Sequence, residues 1–257
     1  MPSRSALRLL PLLLCLAACG PEAAPPEALP QDLAVRDTVL AVLGRIDDRA
    51  FREAFSRLDA VPHTRHIRTT QLDASGRRLA GLERVVRHED GAHRLLHADT
   101  LGAFAFGYLG SFVDADPGTP APAADWLDAL LPEDPAYLAP RNRDAFVYRF
   151  RPDTVVAGMP VQAVEIRARA GEGDDQPIRR ARLYLDEDAG RLVAFSLHRS
   201  NRAFFARETT AVFAAVRPGD GGSWRPHVTR VRTRIDGPFR APHRFQTASA
   251  FYAFGPE

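Results

Sequence analysis

Apolar residues recur at helical spacing near the start of the chain, at Val35, Val39, Val42 and Ile46, and Leu40 and Leu43 widen the stripe. Asp32 stands before them as an N-cap, so an amphipathic helix is predicted there. A second short helix is predicted from about Asp48, with Phe51, Phe55 and Leu58 on one side and Arg49, Arg52, Glu53 and Arg57 elsewhere. Pro62 ends it. Beyond Pro62 the period changes to two. Thr229, Val231, Thr233 and Ile235 alternate with Arg230, Arg232 and Arg234, and Val164, Ile166 and Ala168 alternate with Glu165, Arg167 and Arg169. Ala181, Leu183 and Leu185, then Val193, Phe195 and Leu197, flank the turn signal Asp186-Glu187-Asp188-Ala189-Gly190. Turns at 73–76 and 89–91 separate runs at 63–72, 79–88 and 92–98. Phe104, Phe106 and Tyr108 share one strand face, as do Phe146, Tyr148 and Phe150. About eleven strands are predicted in all, joined by hairpins into an antiparallel meander. The fold class is α+β, mainly β. A sheet this long must curl, close, or cover its apolar face with helices.

One interruption breaks the strand pattern: a proline-rich loop at 114–122, followed by Asp125-Trp126-Leu127-Asp128-Ala129-Leu130-Leu131, which fits a short capped helix before Pro132.

The first residues read as a secretory signal. Arg4 and Arg8 precede an apolar centre of Leu9, Leu10, Leu12, Leu13 and Leu14, and the small residues Ala17 and Ala18 follow. The run is too short to span a bilayer as a helix. Leu16-Ala17-Ala18-Cys19-Gly20 resembles the lipobox of a bacterial lipoprotein. That resemblance implies that the Cys19 thiol receives a diacylglyceryl group, that a peptidase cuts before it, and that the new amine is acylated. Several acyl chains on one residue anchor a protein stably. A plain secretory signal with a cysteine there by chance is the alternative. The chain divides into a signal peptide at 1–18, a Pro/Ala-rich tether at 19–31, and a single domain at 32–257 with a loop-helix insertion near 113–134. Cys15 leaves with the signal, so the folded domain holds no thiol for a disulfide, a metal site or a nucleophile.

Loss of residues 1–18 removes two arginines from 34 bases, which then balance the 32 acids. No global field argues for nucleic acid. Every fixed cation is arginine, which excludes Schiff-base and P-loop lysine chemistry. With 45% hydrophobic and 26% charged residues the composition is that of an ordinary globular protein.

Four stretches carry a family likeness: 155–166, a strand entered through Gly158; 181–186 with its turn and the strand 192–199; Gly222-Ser223-Trp224-Arg225-Pro226; and the arginine-rich strand that follows. With the N-terminal helices and the meander order, they resemble bacterial lipoprotein carriers and receptors of the Lol type, and the wider group of lipoprotein-sorting-like domains, over about residues 60–254. The resemblance implies a curved sheet forming an incomplete barrel, a half-barrel whose apolar side is covered by short helices and holds acyl chains. Phe104, Phe106, Tyr108, Trp126, Leu130, Phe146, Tyr148 and Phe150 are the candidates to line that cavity. The same aromatics also suit a filled core. No position corresponds to the family's carrier arginine or to its receptor's exposed loop.

The expectation is a non-catalytic envelope lipoprotein, held at the membrane through acylated Cys19 and binding a lipid or lipoprotein acyl chain. Gly20, where an inner-membrane retention aspartate could stand, favours the outer membrane facing the periplasm. The alternative is an envelope protein-interaction or stress-sensing domain whose sheet packs solid.

Other chemistry finds little support. Ser111 and Ser223 follow glycines but lie in no nucleophile elbow. Alternation puts His93 and His97 on one face, near His88, His63 and His66, without specifying a full zinc ligand set. Asp186-Glu187-Asp188 lacks the spacing of a calcium loop. No metal or cofactor is expected. Arg230, Arg232 and Arg234 form a ridge that is either a solvated strand face or a contact for phosphate or lipid headgroups.

Overall fold

The computed structural model describes residues 31–104, 127–128, 131, 137, 139–169, 178–186, 188–203, 206–237 and 240–255. Helix α1 (Leu33–Leu43) starts where Asp32 accepts hydrogen bonds from the amides of Ala34 (2.9 Å) and Val35 (3.3 Å), and it buries Val39 and Leu43. Helix α2 (Arg49–Ser56) buries Phe51, Ala54 and Phe55, and Leu58 follows them into the core. Asp48 makes no cap here. Its carboxylate instead takes the Arg52 guanidinium one turn on, at 2.8 Å, while Asp47 accepts from the Arg49 amide at 3.1 Å.

Ten strands follow: β1 (His63–Leu72), β2 (Arg78–Glu89), β3 (Ala92–Leu101), β4 (Phe146–Val156), β5 (Met159–Ala168), β6 (Ile178–Asp186), β7 (Leu192–Ala203), β8 (Ala206–Pro218), β9 (Trp224–Gly237) and β10 (Arg240–Tyr252). They form one antiparallel sheet in the order β3-β2-β1-β10-β9-β8-β7-β6-β5-β4. The fold class is therefore the predicted one, mainly β with short flanking helices and no complete barrel. Hairpins join neighbours throughout, except that β1 pairs with β10 and the chain passes from the β3 edge to the β4 edge. The aromatic run expected as a further strand at 104–108 continues past β3. Phe104 is irregular and partly buried, and Phe106 and Tyr108 lie outside the described residues, as do Cys19, Trp126 and Leu130.

Turn chemistry fixes the hairpins. Asp90 (φ 52) and Gly91 (φ 71) make the tight β2–β3 turn, and Ala157 (φ 53) with Gly158 (φ 84) makes the β4–β5 turn. A parallel bridge between Asp47 and Arg191 ties the α1–α2 link to the β6–β7 turn, with Leu192 N donating to Asp47 O at 2.9 Å. Both helices lie on one face of the sheet, α1 against β4 and α2 against β7 and β9. The core they close contains Phe51, Phe55, Tyr148, Leu183, Phe195 and Phe251 among others.

Candidate functional site

The helix-bearing face changes character across its width. One row of paired residues runs Phe150, Val164, Leu183, Phe195, Ala214, Thr229, Ser249, Ile67, Arg84, Ala98. The next runs Tyr148, Ile166, Ala181, Leu197, Val212, Val231, Thr247, Thr69, Leu82, Thr100. From β4 to β8 these rows are apolar, and from β9 onwards polar residues (Thr229, Ser249, Arg84, Thr247, Thr69 and Thr100) are interleaved with apolar ones.

The apolar half is packed. Phe51 meets Phe55 at 5.1 Å and Phe195 at 5.5 Å between ring centroids, and Phe146 lies 6.4 Å from both Tyr137 and Tyr148. Phe146 and Tyr148, two of the expected cavity residues, are fully buried in this cluster, and Phe150 packs partly buried against it. The Tyr148 hydroxyl donates to the Tyr137 carbonyl, and burial pushes that phenol up to about 12. Leu127, from the predicted short helix, is also in the core, where Leu131 N donates to Leu127 O at 2.7 Å. Arg52 of α2 holds this segment through Asp128 and the Leu131 carbonyl (3.0 Å).

The polar half carries buried groups that the sequence pattern does not single out. Arg65, Thr69, Gln71, Arg84, Thr229, Thr233 and Ser249 are all buried. Arg65 donates to Ser249 Oγ from Nε and Nη2, each at 3.2 Å, and its guanidinium lies 5.7 Å from the Phe251 ring centre. Thr69 and Thr247 share a hydroxyl contact at 3.2 Å. A threonine alternating along a strand reads as an ordinary β-former, so its burial is invisible until the register brings such rows together.

At the end of this half, His63, His88 and His93 fall in one row. His63 stacks on His88 at 4.4 Å, and the Nδ1 atoms of His88 and His93 lie 2.8 Å apart. Burial, with the charges of His63 and His93 adding to it, lowers His88 to about 4. His97 does not join them. A bulge pairs Val86 with Leu95 but Val85 with His97, so the extra residue Leu96 turns His97 to the opposite face, against the simple alternation. No group of three or more histidine, cysteine or carboxylate side chains placed to hold a metal ion occurs among the described residues.

The opposite face is rich in arginine. Glu165, only 3% exposed, is paired with Arg180 (2.6 Å), Arg182 (3.1 Å) and Arg151. Burial pushes its carboxyl up, but Arg182, Arg180 and Arg151 together outweigh this and hold it below the usual range. Arg230, Arg232 and Arg234 are exposed on this face; Arg234 pairs with Asp236 at 2.8 Å. Ser223 Oγ lies 3.5 Å from the Asp220 carbonyl.

Three cavities are relevant. One of about 140 Å³ lies between α2 and Trp224, and one of about 240 Å³ lies on the arginine face. The third, about 580 Å³, is bordered by Arg45, Asp153, Gln162 and Asp186. The first two are smaller than the pockets that usually enclose a drug-sized ligand, and the third has charged walls unsuited to a hydrocarbon chain. No described helix is long and apolar enough to cross a membrane.

In general type, the solved structures to which the chain is similar include one described as a putative outer membrane lipoprotein-sorting protein domain, from Vibrio parahaemolyticus. In particular, a DUF1329 family protein from Desulfovibrio piger is 12% identical over 86% of this chain and 92% of its own, with a TM-score of 0.26. A LolA superfamily protein from Nitrosomonas europaea is 6% identical over 80% and 93%, with a TM-score of 0.23, and MucB is 13% identical over 84% and 94%, with a TM-score of 0.23. Superposition at these scores assigns no family and no function to this chain. No family model matches the chain, and no curated protein matches it.

Proposed function

We propose that this chain is an interaction domain of the bacterial envelope, tethered to a membrane through acylated Cys19, which engages a protein partner and takes no acyl chain into its sheet. The tether rests on the signal and lipobox at residues 1–20. The observation that carries the rest is the occupied helix-covered face: the space an acyl chain would need is held by Phe51, Tyr148, Phe195 and their neighbours. An edge for a partner exists at β3. All ten of its residues are exposed, and Leu95, Leu96 and Leu101 are each about half exposed. Such an edge is suited to strand addition.

The test is uptake of a fluorescent fatty acid by the membrane-extracted protein. No saturable signal is expected, and a saturable signal displaced by unlabelled fatty acid contradicts the reading. A photo-cross-linker placed at Leu96 in living cells is expected to trap one discrete protein adduct; trapping only lipid counts against it.

A further inference from the structure

The cavity of about 240 Å³ on the face away from the helices has the build of an anion socket. Its floor is Ala211, a small residue with taller neighbours on every side. His198 and Arg232 flank it across the sheet, and Thr209 and Phe213 flank it along β8. The next row brings Thr209, Arg234, Arg244 and Leu72 into register beside it. Three guanidinium groups therefore rim one socket, and one of them, that of Arg234, donates from Nε to Asp236 at 2.8 Å.

The side chains of Arg232 and Arg244 form no hydrogen bond or ion pair among the described residues. Burial, and after it Arg180, Arg182 and Arg232, lower the proton affinity of His198. Gln246 and Thr209 supply neutral donors at the wall. Beneath the rim, Ala211, Leu72 and the arginine stems offer hydrocarbon. A bare inorganic ion would use only the rim, whereas an esterified phosphate would use both rim and floor.

We propose that this socket binds a phosphate-bearing organic anion, its phosphate held by Arg232, Arg234 and Arg244 and its carbon portion seated on Leu72 and Ala211. Planar, forked guanidinium groups match phosphate oxygens in pairs, and a charge-assisted hydrogen bond is about twice as strong as a neutral one. The shared chemistry is a glycerophosphate group, either free or displayed on a bilayer.

The mature acylated protein in phosphatidylcholine nanodiscs is titrated by calorimetry with sn-glycerol 3-phosphate and with inorganic phosphate, and is tested for flotation with phosphatidylglycerol vesicles. Saturable binding of glycerol phosphate, tighter than inorganic phosphate, supports the proposal with a free ligand as the source. Flotation without binding of the free compound supports it with a lipid headgroup as the source. In either case Arg232→Gln and Arg244→Gln are each expected to weaken binding about tenfold, while Arg230→Gln, which removes an equal charge outside the socket, leaves it unchanged. All three substitutions are at exposed or half-exposed positions, and an unaltered melting curve shows that the fold is retained. Absence of binding in both arms overturns the proposal. Equal weakening by Arg230→Gln also overturns it, since that is general surface attraction.

Discussion

Glu165 holds together a part of the sheet that alternation alone would leave wet. Replacing it by Gln leaves Arg151, Arg180 and Arg182 facing one another with no anion between them. Glu165→Gln is therefore expected to cost about 2 kcal/mol in urea unfolding, less than a wholly buried pair because the arginines are part exposed. His88 gives a second residue-level expectation. An unfolded imidazole takes its proton near 6.5 and the folded one near 4, so the unfolded state binds the proton first. This contribution to stability is complete above about pH 6.5 and declines as the pH falls from there towards 4. Melting temperature against pH measures it, and His88→Gln is expected to flatten the profile across that window. Neither residue was legible as special. Val164-Glu165-Ile166 reads as a polar position facing water, and His88 reads as an edge histidine, because the groups that bury them come from neighbouring strands.

At the scale of elements, local signals were the reliable ones. The helix stripe behind Asp32, the Asp73 turn and the Asp186–Gly190 turn each carry their structure within a few residues, and each element lies where its pattern predicts. The β1–β10 pairing and the bulge at Leu96 depend on partners far along the chain or on a single extra residue, and no periodicity reveals them. The two sheet edges are treated differently. Gln31 mimics a strand at β4, accepting from Tyr148 N at 2.7 Å and donating to Tyr148 O at 3.2 Å, while β3, among the described residues, has its bulge and the charges of Arg94 and Asp99. Gln31→Leu should cost about 1 kcal/mol by leaving that backbone pair unsatisfied. Ala157 sits at φ 53, where a side chain is strained. Ala157→Gly is expected to stabilise the protein by about 1 kcal/mol, read as a raised midpoint in chemical unfolding.

For the whole molecule, the sequence conveys a mainly β class, but not which half of the helix-bearing face is filled. Phe146, Tyr148 and Phe150 were legible as a clustered aromatic face, and the same pattern fits a cavity wall and a core. Their place beside Tyr137, in one cluster with Phe51 and Phe195, depends on residues far along the chain that the pattern does not bring together. In the proposed function, anchoring is a separate property, assigned to Cys19. Cys19→Ala is expected to move the protein from the membrane to the soluble fraction without changing its fold, as judged by fractionation and circular dichroism. The central claim, a tethered domain with no acyl guest, is tested most directly by the intact mass of the protein, extracted from the membrane in mild detergent with no delipidation step, under native and then denaturing conditions. Equal masses, both carrying the covalent acyl groups of Cys19, are the predicted result. A native mass heavier by one fatty acid or phospholipid, lost on denaturation and retained when Arg232 and Arg244 are replaced by Gln, would contradict it.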